Sequence, residues 1–235
     1  MPNVPPHWLH PADLKAGRRA QDEMAGAVRA EDEPDLPRLI GGADISCQRF
    51  DSLRRIFAAL VVHGADGAPR DTATHATRAR FPYVPGFLAF REVPALVAAW
   101  DSLAHKPDIL LVDGHGIAHP RGVGVATHLG LVLDVPTIGV AKTILVGAPD
   151  APLGEEEGAC VTLVWKGNRI GMALRTRRGA GPVYVSVGHR VSLARAVALV
   201  RDSVAGRRLP APIRAAHDAA NSLRRAVLAA EDAAR

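Results

Sequence analysis

The sequence predicts an α/β protein whose central mixed sheet is flanked by helices. Short apolar runs of strand length alternate with longer segments that have helical spacing. Three strand-like segments, residues 38–46, 56–63 and 71–78, follow one another across short turns, which is typical of a meander. A helical segment then separates two apolar runs, residues 109–112 and 135–140, as expected for parallel strands joined by a crossover.

Composition limits the class of protein. At 235 residues, with 48% hydrophobic and 23% charged residues, the chain is long enough to bury one sizeable core. Cys47 and Cys160 form no C-x-x-C motif, so neither a disulfide framework nor a zinc cluster is indicated. The N terminus has no apolar core of signal-peptide length, and no run reaches the length of a membrane span. We therefore expect a cytoplasmic protein without a membrane anchor.

Charge is distributed unevenly along the chain. Residues 166–235 contain 14 Lys and Arg against 4 Asp and Glu, a net of +10, which leaves −5 for residues 1–165. Such asymmetry suggests a polyanionic partner. A composition rich in Arg and Ala would produce the same asymmetry without any partner, so both interpretations stay open.

The sequence predicts two parts of unequal size. Residues 11–30 have the spacing of an amphipathic helix, expected to pack outside the main core, and EDEPDLP has the composition of a linker. We therefore predict a helical extension with its linker over residues 1–35. Residues 36–235 are predicted to form the α/β domain with a basic C-terminal tail.

The remaining elements follow from local pattern. An aromatic loop, FPYVPGFLAFR, holds three of the five phenylalanines and either caps a core or acts as a wedge between bases. An apolar stripe predicts a helix over residues 92–105. Later elements are expected to be strands and helices: strands over residues 160–165, 170–176 and 182–187, a helix capped by Ser192, and a terminal basic helix.

Three acidic residues occupy positions that need a chemical explanation. Asp44 lies inside an otherwise apolar strand, where an unpaired carboxylate is costly, so a partner or a cation is needed. Glu92 begins a helix. Asp113 ends a buried strand and is followed by a glycine-rich loop, the position at which open α/β sheets form their crevice. Lys142 follows the next parallel strand, which predicts that Asp113 and Lys142 meet.

The order of elements is that of a ribonuclease H-like fold. In that topology the first and fourth strands are neighbours, so we expect Asp44 and Asp113 to meet. Clustered carboxylates repel unless cations lie between them, and hard oxygen ligands select Mg²⁺ or Mn²⁺. Two such ions, about 3.5–4 Å apart, would serve phosphodiester hydrolysis. Lys142 would then stabilise charge on the phosphate, and His217 is a candidate to orient the attacking water.

Five blocks of sequence carry a resemblance to a known family: GGADIS, FPYVPGFLAFRE, VDGHGIAHPRGVGVATHLGLVLDVPTIGVAK, GHRVS and RRLPAPIRAAH. In this order they resemble the signature blocks of endonuclease V, the deoxyinosine-specific repair nuclease, over residues 36–217. The resemblance implies a Mg²⁺-dependent enzyme, with Mn²⁺ as a substitute. It also implies hydrolysis of the second phosphodiester bond 3′ to deoxyinosine, leaving 3′-hydroxyl and 5′-phosphate ends.

The resemblance also implies roles for particular residues. The metal-binding and catalytic acids are Asp44, Glu92 and Asp113, and the supporting basic catalytic residues are Lys142 and His217. A strand-separating wedge is formed by Pro82, Tyr83, Val84 and Pro85. The pocket for the flipped base is formed by Gly86, Leu88, Gly114, Gly116 and His119.

The implied partner is DNA that contains deoxyinosine, and inosine-containing RNA is the alternative substrate. Another ribonuclease H-like nuclease, such as a junction resolvase, is a second alternative. A nucleic-acid-binding module with structural carboxylates is a third, although acids that face a phosphate backbone would repel it. A single chain suffices for the chemistry, so we expect a monomer.

Overall fold

A computed structural model describes residues 4–32, 36–48 and 51–234. Within these ranges the strands are β1 (Leu39–Ser46), β2 (Arg55–Gly64), β3 (Pro69–Arg78), β4 (Ile109–Asp113), β5 (Thr137–Ala141), β6 (Ala148–Pro149), β7 (Cys160–Trp165), β8 (Asn168–Leu174) and β9 (Val183–His189). The helices are α1 (Pro6–Leu9), α2 (Leu14–Gly26), α3 (Ala89–Asp101), α4 (Val125–Leu133), α5 (Leu193–Asp202) and α6 (Ala211–Ala233).

The strands form one mixed sheet in the order β3-β2-β1-β4-β5-β9-β8-β7-β6. The expected meander is present, since β2 pairs antiparallel with both β1 and β3. β1 is parallel to β4, and β4 is parallel to β5. The carboxyl ends of these three strands therefore lie at one edge of the sheet. The predicted α/β class and its ribonuclease H-like order are confirmed.

Helices cover both faces of the sheet. Leu110 and Val112 of β4 belong to a core cluster with residues of α3 and α4. Ile109 and Leu111, which alternate with them, pack in a second cluster with residues of α5 and with Ile213 of α6. Burial on both faces explains why β4 reads as an unbroken apolar run.

Several boundaries differ from the predictions. The helix expected over residues 11–30 is the shorter α2, which starts at Leu14 because Asp13 caps it by accepting the Ala16 N–H at 2.7 Å, and the separate α1 precedes it. α3 begins at Ala89, so Glu92 lies within its first turn instead of starting it. α6 begins directly after Pro210 and accommodates Pro212 in its first turn, where a missing N–H costs nothing.

The N-terminal helices pack outside the main core, as expected. Ala20 and Met24 of α2 lie in a separate apolar cluster with Phe81, Phe87 and Phe90. Residues 33–35 of the predicted linker lie outside the described residues, and the division at residue 35 stays a prediction. In the described part of the chain, none of the helices combines the length and apolarity needed to cross a membrane.

Candidate active site

The parallel strand ends bring Asp44, Asp113 and Lys142 together. Ala43 of β1 pairs with Val112 of β4, so the two following aspartates are neighbours across the sheet edge. Lys142 directly follows β5, and its Nζ donates to Asp113 Oδ2. The Asp113 side chain is 12% exposed and that of Lys142 is 40% exposed. The expectation that this carboxylate and this ammonium share one crevice is confirmed.

Helix α6 brings His217 to the same edge. His217 Nδ1 lies 2.7 Å from Asp44 Oδ2, and the second Asp44 oxygen accepts the Ile45 N–H at 2.7 Å. The close approach of α6 depends on Gly42, because a Cβ there would lie 2.0 Å from the Pro212 carbonyl oxygen. Gly42 in β1 therefore serves the packing of α6.

Two residues that sequence reasoning missed extend this contact. Asn221 Nδ2 lies 2.9 Å from His217 Nε2, and Asn221 Oδ1 accepts the Ser46 hydroxyl at 2.8 Å. His217 and Asn221 are four residues apart, so they share one helix face, which is the sequence signal that was available. Both imidazole nitrogens of His217 are thus engaged.

The acids at this edge perturb one another. Burial, followed by repulsion from Asp113, raises the pKa of Asp44, while its hydrogen bond with His217 acts in the opposite direction. Burial, followed by repulsion from Asp44, raises the pKa of Glu92 to about 8. Ionising all three acids therefore costs free energy that a nearby positive charge would recover.

Asp44, Asp113 and His217 form a group that could hold a metal ion. Each side chain offers one ligand atom, and these atoms lie within 4.8 Å of one another. Glu92 lines the same cleft without belonging to that group. Two carboxylates beside an imidazole are a donor set suited to a divalent cation.

Of the predicted wedge, residues 82–85, the last three residues line the same cleft as this cluster. Tyr83 is 71% exposed, and Gly86 closes the turn with a φ of +77°, which favours glycine. Arg91, which the sequence analysis did not single out, donates from Nη1 to the Phe81 carbonyl at 3.1 Å. Its guanidinium carbon lies 6.0 Å from the centroid of the Tyr83 ring.

A cleft of about 410 Å³ separates the wedge from the acids. Most of the predicted site residues line it: Asp44, Tyr83, Val84, Pro85, Gly86, Leu88, Glu92, Asp113, Gly114, His119 and Lys142. Further lining residues that the sequence analysis missed include Ile45, His115, Val125 and Leu145. A larger cavity of about 930 Å³ surrounds Asp108, at the opposite end of β4 from the acids.

Three predicted site residues do not line this cleft, and one of them, His217, reaches it through its contact with Asp44. Pro82 lines a separate cavity with Leu9 and Phe90, on the side of the N-terminal helices. The Gly116 N–H donates to Ser186 Oγ at 2.8 Å, and a Cβ on Gly116 would lie 2.0 Å from the Val187 carbonyl oxygen. Gly116 thus packs the loop after β4 tightly onto β9, and its assignment to a base pocket stays a prediction.

His119 is a buried, neutral member of the cleft. Its Nδ1 accepts the N–H of Arg121 at 3.2 Å and that of Val123 at 3.4 Å. Burial, followed by repulsion from Arg121, lowers the pKa of His119 to about 4. The ring therefore has its proton on Nε2 at neutral pH, and a hydrogen bond with the Gly86 backbone opposes the lowering of its pKa.

Acids, a lysine and a histidine at the carboxyl ends of the parallel strands place the chain in the class of ribonuclease H-like nucleases. Comparison with known proteins agrees, since residues 22–218 match the family described as Endonuclease V. The chain belongs to the endonuclease V family.

The similarity to known proteins covers most of the chain. An endonuclease V of Rhodospirillum centenum is 48% identical over 230 residues, covering 96% of this chain and 95% of that protein. The crystal structure of the Streptomyces avermitilis endonuclease V has a TM-score of 0.86 at 37% identity, covering 95% of this chain and 98% of that one.

A third comparison concerns a protein solved with nucleic acid. Ciona intestinalis endonuclease V was solved in complex with a 24mer DNA containing an inosine followed by a ribo-adenosine. It has a TM-score of 0.75 at 23% identity and covers 91% of this chain and 98% of that one. This likeness shows a shared fold.

Proposed function

We propose that the protein is a DNA repair endonuclease that acts at deoxyinosine, as a monomer in the cytoplasm. It hydrolyses the second phosphodiester bond 3′ to the lesion in a Mg²⁺-dependent reaction and leaves 3′-hydroxyl and 5′-phosphate ends. The observation that carries this proposal is the cleft, which has an exposed aromatic wedge on one wall and the Asp44–Asp113 pair on the other.

The donor set fits a hard divalent cation. Asp44 and Asp113 would hold it, and Glu92, the third acid expected to bind metal, lines the same cleft. Oxygen ligands favour Mg²⁺ and also accept Mn²⁺. When bound, such a cation lowers the pKa of water and stabilises negative charge on a leaving oxygen. The raised pKa of both Asp44 and Glu92 supports this assignment, because buried repelling acids need a positive charge nearby.

The two basic residues of the site, Lys142 and His217, have separate proposed roles. Lys142 is 40% exposed, and its ammonium, which pairs with Asp113, lies where it can also contact an incoming phosphate. Its positive charge would stabilise negative charge that develops there. His217 is 51% exposed at the mouth of the site, and its ring is held from both nitrogens. To orient an attacking water, the imidazole would exchange one of these two hydrogen bonds for a bond to that water.

The wedge and the cleft account for access to the lesion. A base inside a duplex is out of reach of the acids, so the nucleotide must leave the stack. Tyr83 is exposed at the tip of a proline-flanked turn, where it can stack in the vacated space. Gly86, Leu88, Gly114 and His119 line the cleft behind it and are proposed to receive the base.

Deoxyinosine as the substrate is supported by family membership and by the inosine-containing DNA bound to the Ciona protein. The test is cleavage of a labelled duplex with one deoxyinosine, beside its unmodified twin and an inosine-containing RNA, in Mg²⁺ and in EDTA. We expect a Mg²⁺-dependent nick in the strand that contains deoxyinosine, and no nick in the unmodified duplex. Faster cleavage of the RNA would make RNA the main substrate, and equal cleavage of the unmodified twin would overturn lesion specificity.

A further inference from the structure

The carbonyl oxygen of Gly86, at the end of the wedge turn, accepts from Gln21 and Arg121, two side chains from distant segments, and His119 also hydrogen-bonds the Gly86 backbone. Gln21 Nε2 of α2 donates to the carbonyl oxygen at 2.9 Å, and Arg121 Nη2 donates to it at 2.7 Å. Arg121 Nε also donates to Gln21 Oε1 at 2.5 Å. These three hydrogen bonds close a triangle, which we call the Gly86 clamp, formed by Gly86, Gln21 and Arg121.

Gln21 is the buried corner of this clamp. Its side chain is fully buried in a helix whose other buried residues are Gly17, Ala20 and Met24. A buried amide is costly unless its hydrogen bonds are made, and this one donates to one partner while accepting from another. A residue placed only to fill space would be apolar. The polar side chain therefore indicates a specific task.

Helix α2 is pressed closely against the base of the wedge turn. A Cβ on Gly17 would lie 3.2 Å from the Phe87 ring and 3.5 Å from the Phe90 ring. The guanidinium carbon of Arg121 lies 4.5 Å from the centroid of the Phe87 ring. Phe87 in turn closes the turn through its N–H, which donates to the Val84 carbonyl at 3.0 Å. A displacement of α2 or of Arg121 would therefore move Phe87, and Phe87 would move the wedge turn.

We propose that Gln21 is a positioning residue for strand separation, acting through the Gly86 clamp to hold the wedge at a fixed height above the acids. The proposal rests on the proposed function, and it makes α2 part of the lesion-recognition apparatus. Tyr83 must enter a duplex against base stacking, so its turn has to resist being pushed back. The exposed tip of the wedge makes few packing contacts, and the hydrogen bonds of the Gly86 clamp hold the end of its turn in place.

The clamp has a consequence that depends on the substrate. Strand separation is needed for a lesion in a duplex and is unnecessary for one in a single strand. Loss of the clamp should therefore lower kcat/KM for duplex deoxyinosine and leave cleavage of the same strand, when single, little changed. Small misplacements of a substrate-positioning group reach roughly 10- to 100-fold in rate, which is the duplex effect that we expect.

Two variants of Gln21 separate the two hydrogen bonds. Gln21→Met keeps a similar volume and removes both bonds. Gln21→Glu retains an acceptor for Arg121 but has no amide donor for the Gly86 carbonyl. Met24→Ala is the matched control, because Met24 is also fully buried in α2, and its loss weakens the packing of the helix without touching Gly86. The thermal unfolding midpoints show whether the variants are destabilised to similar degrees.

The first measurement is the ratio of kcat/KM for duplex to that for single-stranded deoxyinosine DNA. We expect both Gln21 variants to lower this ratio roughly 10- to 100-fold, and Met24→Ala to preserve it. An unchanged ratio in Gln21→Met would overturn the proposal. If Gln21→Met and Met24→Ala lowered this ratio equally, Gln21 would have only a packing role. A wild-type ratio in Gln21→Glu would show that the hydrogen bond from Gln21 to the Gly86 carbonyl does not contribute to strand separation.

The second measurement needs no substrate. Hydrogen–deuterium exchange of the peptide that contains the Phe87 N–H should be faster in Gln21→Met than in Met24→Ala. Unchanged exchange would contradict a clamp. If the wild-type protein failed to cleave any deoxyinosine substrate, the proposed function would fall, while this exchange experiment would still decide whether Gln21 rigidifies the turn.

Discussion

His217 Nδ1 lies 2.7 Å from Asp44 Oδ2, although 173 residues separate the two in the chain. The contact joins the last long helix to the first strand across the sheet edge that holds the acids. Asn221 approaches Nε2 on the other side of the ring, and Ser46, the last residue of β1, donates its hydroxyl to Asn221. Because the Asn221 amide nitrogen can only donate, Nε2 accepts in that contact and Nδ1 is the donor that faces Asp44.

Removal of Asn221 should slow the chemical step. In Asn221→Ala the His217 ring keeps its bond to Asp44 but loses the partner that fixes its rotation. Loss of such a supporting hydrogen bond typically costs roughly 10- to 100-fold in activity. We expect kcat to fall with KM nearly unchanged, measured by steady-state cleavage of deoxyinosine DNA. Ser222→Ala, at an exposed neighbouring position, is the control, and an unaltered kcat in Asn221→Ala would show that the ring needs no such support.

Neutralising Glu92 should stabilise the protein when no cation is present. The folded-state pKa of about 8 exceeds the ordinary value of 4.5, so folding favours the protonated acid. As pH rises from 4.5 to 8 the unfolded chain loses this proton first, and the free energy of unfolding falls. We expect Glu92→Gln to raise that free energy by about 1–3 kcal/mol at pH 8 and to have little effect at pH 4.5.

Thermal unfolding in EDTA at both pH values measures this effect. Added Mg²⁺ should then raise the Tm of the wild type more than that of Glu92→Gln, since the cation relieves repulsion that the variant lacks. A Tm difference between the two proteins that does not depend on pH would refute the assignment of Glu92 as a buried acid under repulsion.

Truncation of Tyr83 should affect lesion engagement and leave the acids intact. Tyr83→Ala removes the exposed ring, and stacking of a base on an aromatic ring is worth roughly 1–3 kcal/mol. We expect KM or Kd for duplex deoxyinosine DNA to rise about 5- to 150-fold, while Mg²⁺ still raises the Tm as in the wild type. Tyr83→Phe keeps the ring and should behave like the wild type. Indistinguishable cleavage by Tyr83→Ala would rule out the wedge.

The protein should lose stability in mild acid because of its buried histidines. Burial lowers the pKa of His128 to about 4, and its Nε2 lies 2.6 Å from the Trp8 carbonyl oxygen. Between pH 6.5 and 4 the histidine binds a proton in the unfolded chain but not in the folded chain. The free energy of unfolding therefore decreases as the pH is lowered from 6.5 to 4. His119 contributes in the same direction.

Urea unfolding at pH 7 and pH 5 tests this dependence. We expect a loss of about 1–2 kcal/mol per buried histidine between these pH values, and a smaller loss in His128→Leu. That variant also lacks the bond to Trp8, so it should be less stable than the wild type at pH 7. An equal pH dependence in both proteins would show that His128 is not kept neutral by folding.

The sequence was sufficient to predict the centre of the site because that centre depends on topology. A buried run ending in Asp113 and a second ending before Lys142 fix a parallel pair, and the order of the elements makes β1 the neighbour of β4. This arrangement places Asp44 beside Asp113. Each of these steps uses local pattern and the rules of strand connection.

The supporting residues were missed for an equally physical reason. Gln21 and Asn221 are polar residues on amphipathic helices, where periodicity assigns polar positions to the surface. Only the packing of α2 on the phenylalanine cluster buries Gln21, and only the close approach of α6 at Gly42 brings Asn221 to the ring of His217. Leu145 was missed because it lies in an irregular segment without periodic pattern.

The measurement that tests the central claim most directly is single-turnover cleavage of duplex deoxyinosine DNA, mapped to the nucleotide, by the wild type, Asp44→Asn and Asp113→Asn. We expect the wild type to nick the second phosphodiester bond 3′ to the lesion in Mg²⁺. Each variant should be at least roughly 100-fold slower and should bind the DNA as well or better, because an acid that repels phosphate is gone. Asp150→Asn, at an exposed loop position, should cleave like the wild type. Full activity in either acid variant, or a nick at another bond, would contradict the account.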